Sequence, residues 1–131
     1  MHRRDLIHAL CGLLGLGTLS THRVRAAAPR QVRLAGMHVA GTAYYDAEAV
    51  AGRLRPGQRL TLRRQPENRY DALAIEVLGP EGRKLGYVPR RRNEMPARLM
   101  DAGKHLCARA ESIERRGSRL DIRVSVYLED A

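Results

Sequence analysis

The chain has 131 residues, 44% hydrophobic and 29% charged, with a formal net charge of +10. That is room for one domain of about 100 residues, and a surface drawn to anionic rather than cationic partners. There is no Trp and no Phe, so five Tyr are the only aromatic rings. Cys11 and Cys107 are the only cysteines, which excludes a disulfide framework.

Residues 1–28 differ from the rest. Arg3 and Arg4 open the segment, residues 6–19 are apolar, and Ala26, Ala27 and Ala28 are small. This is the three-part layout of an export signal, and the arginine pair resembles a twin-arginine signal. The apolar stretch is shorter than the roughly 20 residues a membrane span needs, so no stable span is expected. The protein reads as exported or periplasmic if the signal operates, and as cytoplasmic otherwise. Residues 29–131 form the expected domain, with 20 basic and 13 acidic residues, a net +7.

Residues 31–40 read as a first strand bent at Gly36. Residues 41–45 form a turn and a short extended piece. Asp46 is placed to cap a short helix over 47–54. A turn at 55–58 leads into residues 59–63, whose clean alternation predicts a strand with one wet face. Residues 65–71 are a loop, and 72–78 the next strand. A Gly-Pro-Glu-Gly turn at 79–82 closes a hairpin to 84–89, which proline ends. Residues 91–102 read as a helix with Gly103 past its C-terminus. Residues 105–113 and 120–128 are the last two strands, joined by a turn at 116–118. The fold class is therefore mainly β, with two short helices on a small OB- or SH3-like barrel of about six strands. No repeat and no low-complexity tract interrupts it.

Several chemistries lack their motifs. Gly103-Lys104 is followed by His105 and has no Gly five residues earlier, so there is no phosphate-cradling loop. No G-x-S-x-G elbow appears. His105 and Cys107 are two apart on a predicted strand, but structural zinc takes four ligands, so packing is the reading and no metal or cofactor is expected. Glu67 and Asp71 share a loop, where turn chemistry draws such residues. With no nucleophile, base or metal set, the chain reads as non-catalytic.

Three segments carry a more specific pattern: Gly41-x-x-Tyr44-Tyr45; then Leu60-x-Leu62-Arg63-Arg64-x-Pro66-x-Asn68-x-Tyr70-Asp71-Ala72-x-Ala74-Ile75; then Leu85-Gly86-Tyr87-Val88-Pro89. In this order and spacing they resemble the HIRAN domain, over about residues 32–110. The resemblance implies an OB-like barrel that binds single-stranded DNA at a free 3′ end. It implies that Tyr44 and Tyr45 stack on terminal bases. Tyr70 and Asp71 would line the end pocket, with Asp71 accepting a hydrogen bond from the terminal hydroxyl, and Tyr87 would be a further pocket residue. Two positions depart from the pattern: Ala43 stands where a basic residue is usual, and Arg69 where proline is.

Elementary energetics agree with that reading. A base stacked on an aromatic ring gains roughly 1–3 kcal/mol with little sequence preference. Arginines give phosphate contacts that weaken with salt. The candidates are Arg63, Arg64 and Arg69 beside the loop, and Arg90, Arg91 and Arg92 before the second helix. The expected partner is single-stranded DNA or another nucleic acid, bound by a monomer. The competing reading is an exported envelope module that holds a peptide, a glycan or an anionic polymer. Convergence of the Tyr residues and Asp71 in one Arg-lined groove would separate the two.

Overall fold

The computed structural model describes residues 30–130. The export segment expected at 1–28 lies outside them. Six strands make one antiparallel sheet: β1 (Arg30–His38), β2 (Arg59–Arg64), β3 (Ile75–Leu78), β4 (Lys84–Tyr87), β5 (His105–Arg116) and β6 (Arg119–Asp130). Their order is β1-β6-β5-β2-β3-β4. Two short helices, α1 (Ala47–Val50) and α2 (Glu94–Asp101), pack on it. Among the described residues no helix is long and apolar enough to cross a membrane.

Local chemistry explains most of these elements. In β2 the alternation predicted from sequence appears as Leu60 and Leu62 buried between exposed neighbours. β5 and β6 form a long hairpin closed by Gly117-Ser118, with Gly117 at φ 65° and Ser118 at negative φ. That pattern suits a type II′ turn, whose twist matches the strands. At the end of α2, Gly103 takes φ 91°, its N–H donates to Met100 O, and the Lys104 N–H reaches Leu99 O. This is a Schellman ending, with glycine where left-handed backbone is needed.

The sheet curls until its edges meet. Ala40, just past β1, and Tyr87 in β4 exchange two backbone hydrogen bonds of 2.8 and 2.9 Å. Gly86 permits this approach: a Cβ there would stand 2.2 Å from Ala40 O and 2.8 Å from Val39 Cγ1. Inside sit Leu60, Ile75, Val77, Leu85, Val88, Ile122, Val124 and Val126, with Val50 from α1 and Ala97 from α2. Full burial of such aliphatic side chains stabilises by about 1.5–3 kcal/mol each.

Four details differ from the sequence reading. The irregularity in β1 falls between Arg33 and Ala35, not at Gly36, which stays in the strand. Asp46 makes no cap; its carboxylate pairs with Arg83 at 2.9 Å instead. The strand expected from Ala72 begins only at Ile75, because Asp71 accepts the Leu73 N–H on its side chain and the Ala74 N–H on its carbonyl, turning the chain. The helix expected from Arg91 begins at Glu94, preceded by a 3₁₀ turn at Arg90–Arg92.

Candidate functional site

A cleft of about 270 Å³ opens beside the closing bridge. Ala40, Tyr45, Asn68, Tyr70, Asp71, Ala74, Tyr87, Val88 and Arg90 line it. Three separate segments thus meet there: the turn after β1, the β2–β3 loop, and β4 with its exit.

Tyr87 is the centre of the wall. Its ring meets Tyr45 edge to face, with centroids 5.7 Å apart at 71°. Its hydroxyl donates to Gln65 Oε1 at 2.7 Å and accepts from Lys84 Nζ at 2.7 Å. Lys84 Nζ also lies 4.2 Å from the Tyr45 centroid and 4.3 Å from that of Tyr87. Residues 84 and 87 would face opposite ways in a regular strand. A bulge at Leu85 prevents this: Lys84 opposes Leu78, and Tyr87 opposes Glu76, so the two share a face.

Glu76 anchors this face from beneath. It is 3% exposed, yet accepts from Arg63 Nε at 2.7 Å and lies 3.2 Å from Lys84 Nζ. Burial works to raise its pKa, but the hydrogen bonds from Arg63 and Lys84 outweigh it and hold the carboxyl below the usual carboxylate range. Burial likewise works to lower the Lys84 value. Hydrogen bonds to Tyr87 and Glu76 overcome it and hold the ammonium above its ordinary pKa. The cation between the two rings is therefore secure at neutral pH.

The β2–β3 loop is built on Asn68. Its Oδ1 accepts the N–H groups of Tyr70 and Asp71 at 2.8 and 3.1 Å, and its Nδ2 donates to Gln65 Oε1. That geometry swings Tyr70 outward, 76% exposed, with the Arg69 guanidinium 5.6 Å from its ring centroid. Asp71 turns inward. One carboxylate oxygen accepts the Leu73 N–H at 2.9 Å, and the other accepts Nδ2 of buried Asn93 at 2.8 Å. A carboxylate has about four lone-pair sites, so acceptor capacity is left for a ligand in the cleft. Arg90 Nε stands 4.0 Å from the same oxygen.

The remaining expected residues lie apart. Tyr44 ends a 3₁₀ turn and Tyr45 is extended, so the pair diverges. Tyr44 is 81% exposed and lines a neighbouring groove of about 630 Å³ with His38, Arg116, Arg119 and Asp121. Arg63 is taken up by Glu76. Arg64 is mostly buried: it grips Asp101 with two nitrogens at 2.8 and 3.0 Å and donates to the carbonyls of Ala72 and Ala74. It braces the loop against α2. Sequence reasoning missed Lys84, Gln65 and Asn93. Lys84 had one available signal: with Lys104 it is one of only two lysines in a chain whose other cations are arginine. Among the described residues no group of three or more His, Cys, Asp or Glu is placed to hold a metal.

The comparisons fit this architecture. The family model of the HIRAN domain matches residues 32–129. A crystal structure of a protein from Lactobacillus plantarum superposes with a TM-score of 0.73 at 28% identity, covering 79% of this chain and 100% of that one. The crystal structure of the HIRAN domain of human HLTF superposes with a TM-score of 0.58 at 20% identity, covering 76% of this chain and 79% of that one. No curated protein sequence matches the chain.

Proposed function

The chain belongs to the HIRAN domain family, whose members are nucleic-acid-binding modules, and we propose that its cleft takes the 3′ end of single-stranded DNA without catalysing a reaction on it. The carrying observation is the convergence of Tyr45, Tyr70, Tyr87, Asp71 and Arg90 around one opening. The aromatic faces suit bases, which stack with little sequence preference. The cation suits a phosphate. The carboxylate is the selective element. In a groove that tracks a phosphate backbone a negative charge repels, so beyond its bonds to Leu73 N–H and Asn93 Nδ2 the Asp71 carboxylate suits a ligand donor such as a terminal hydroxyl. The same convergence favours this reading over an envelope module for peptides, glycans or anionic polymers.

The test is fluorescence anisotropy of the full chain with short single-stranded DNA ending in a 3′-hydroxyl or a 3′-phosphate. A phosphate about 4 Å from Asp71 meets repulsion of about 1 kcal/mol in water and 4 kcal/mol at an effective dielectric of 20. The free hydroxyl should therefore bind at least about fivefold more tightly. Asp71→Asn retains an acceptor for the Leu73 N–H, and the Asn93 amide can turn to match it, so this variant should fold and lose the preference. Tyr45→Ala should weaken both ligands, by about 1–3 kcal/mol. Binding blind to the end in the wild type, or a preference that survives Asp71→Asn, would refute the proposal.

A further inference from the structure

A second groove, of about 380 Å³, is lined by Gly36, Met37, His38, Pro89, Arg91, Arg92 and Arg123, none of which lines the cleft. Three guanidinium groups and an imidazole surround it, and no carboxylate lines it. Two of the arginines are already held. Arg92 Nη2 donates to Gly36 O at 2.9 Å. Arg123 Nη1 is 3.0 Å from His38 Nε2, and its Nε is 3.3 Å from Glu111. His38 in turn is fixed by Asp121, 2.7 Å from its Nδ1. Arg91 is exposed and makes no ion pair among the described residues.

We propose that this groove is a second phosphate subsite, which takes the backbone of the strand whose end occupies the cleft. The inference rests on the DNA reading of that cleft. Four observations carry it. The groove has cations of one sign and no lining anion. Arg92 and Arg123 are preorganised, so little side-chain freedom is lost on binding. Buried Met37 and half-buried Pro89 give the groove a part of its lining that carries no charge. The two recesses also draw on one stretch of chain: Val88 and Arg90 line the cleft, and Pro89 and Arg91 line the groove. A strand that leaves the cleft beside Arg90 therefore has Arg91, the next residue in the chain, as its next phosphate contact. The ligand class is an extended single strand longer than the cleft can hold, within the roughly 4–16 nucleotides typical of OB folds.

The experiment compares a trinucleotide with a strand of about ten nucleotides, each with a free 3′-hydroxyl, on the full chain and on two variants, Arg91→Ala and Arg91→Ala/Arg123→Ala. Affinities are read at several salt concentrations. Each lost phosphate contact should make the log–log salt slope of the longer strand shallower by about 0.7. For the double variant, the affinity ratio between roughly 50 and 200 mM salt should shrink about sevenfold. The trinucleotide should bind all three proteins alike. An unchanged slope for the longer strand would overturn the subsite and leave the cleft reading standing. So would an equal loss for both lengths, because the arginines would then act on the cleft. Failure of the wild type to bind either DNA would overturn both readings. Arg91 is exposed and unpaired in the described structure, so the single variant remains informative if the double one is poorly folded.

Discussion

Replacing Gly86 by Ala tests the closure on which the cleft depends. The new Cβ would lie 2.2 Å from the Ala40 carbonyl oxygen and 2.8 Å from Val39 Cγ1. The first contact is with backbone, so no side chain can swing away to relieve it. The clash must push Ala40 from Tyr87 and strip the bridge of its two hydrogen bonds. Two such bonds are worth about 1–3 kcal/mol net, and overpacking adds about 1–3 kcal/mol. The expected cost is therefore about 2–6 kcal/mol, against a typical total stability of about 5–15 kcal/mol. For a domain near 100 residues this lowers the Tm by more than about 10 °C. Gly52 is the control: it sits in a 3₁₀ turn at ordinary φ with nothing within 4 Å of an added Cβ. Gly52→Ala should be neutral or stabilise by up to about 1 kcal/mol. Thermal and urea unfolding of the two variants measures the difference. A Gly86→Ala protein as stable as Gly52→Ala would refute the argument that this glycine exists for the closure.

Two further predictions follow from the ion pairs. Arg64→Ala should destabilise the domain, because it frees two carbonyls and Asp101 at once, while the salt slope for DNA stays at the wild-type value; a shallower slope with unchanged stability would show Arg64 to be a phosphate contact. Glu129 accepts from Arg59 and Gln31, and the hydrogen bond from Arg59, the larger influence, holds its pKa at about 2 against an ordinary 4.5. Its folded pKa is depressed, so its contribution is fully present above about pH 4.5 and is lost as pH falls from there toward 2. The pair is partly exposed, so Glu129→Gln should cost about 1 kcal/mol at neutral pH and little at pH 2, as read from urea midpoints along the acid range.

Much of the architecture is local and was legible in the residues. Leu60 and Leu62 alternate with polar neighbours, Gly103 stands where a helix must end in left-handed backbone, and Gly117-Ser118 suits a tight hairpin. Each rests on backbone preferences within a few positions, which any reader of the chain can apply. Asn68 and Asp71 also marked a turn-forming loop, because an Asx-type turn is encoded in adjacent residues, and the resemblance to the HIRAN domain placed that loop at the site. Charge and composition pointed to an anionic partner on the same footing.

What the tertiary structure decided depends on register and on contacts between distant segments. Tyr44 and Tyr45 looked like one stacking pair, but a 3₁₀ turn sends them to different grooves. Arg63 and Arg64 looked like equivalent surface cations, yet one is claimed by Glu76 on the next strand and the other by Asp101 on α2. Lys84 joined Tyr45 and Tyr87 only because a bulge at Leu85 shifts the face it occupies. Gly86 shows the same division. Its place in a short strand is readable from the sequence, but its reason is Ala40, 46 positions away, brought within hydrogen-bonding distance when the curled sheet meets itself. Local preference selects the strands and turns. Which side chains share a face, and which cations remain free for a ligand, is settled only when non-local pairing fixes the register of the strands.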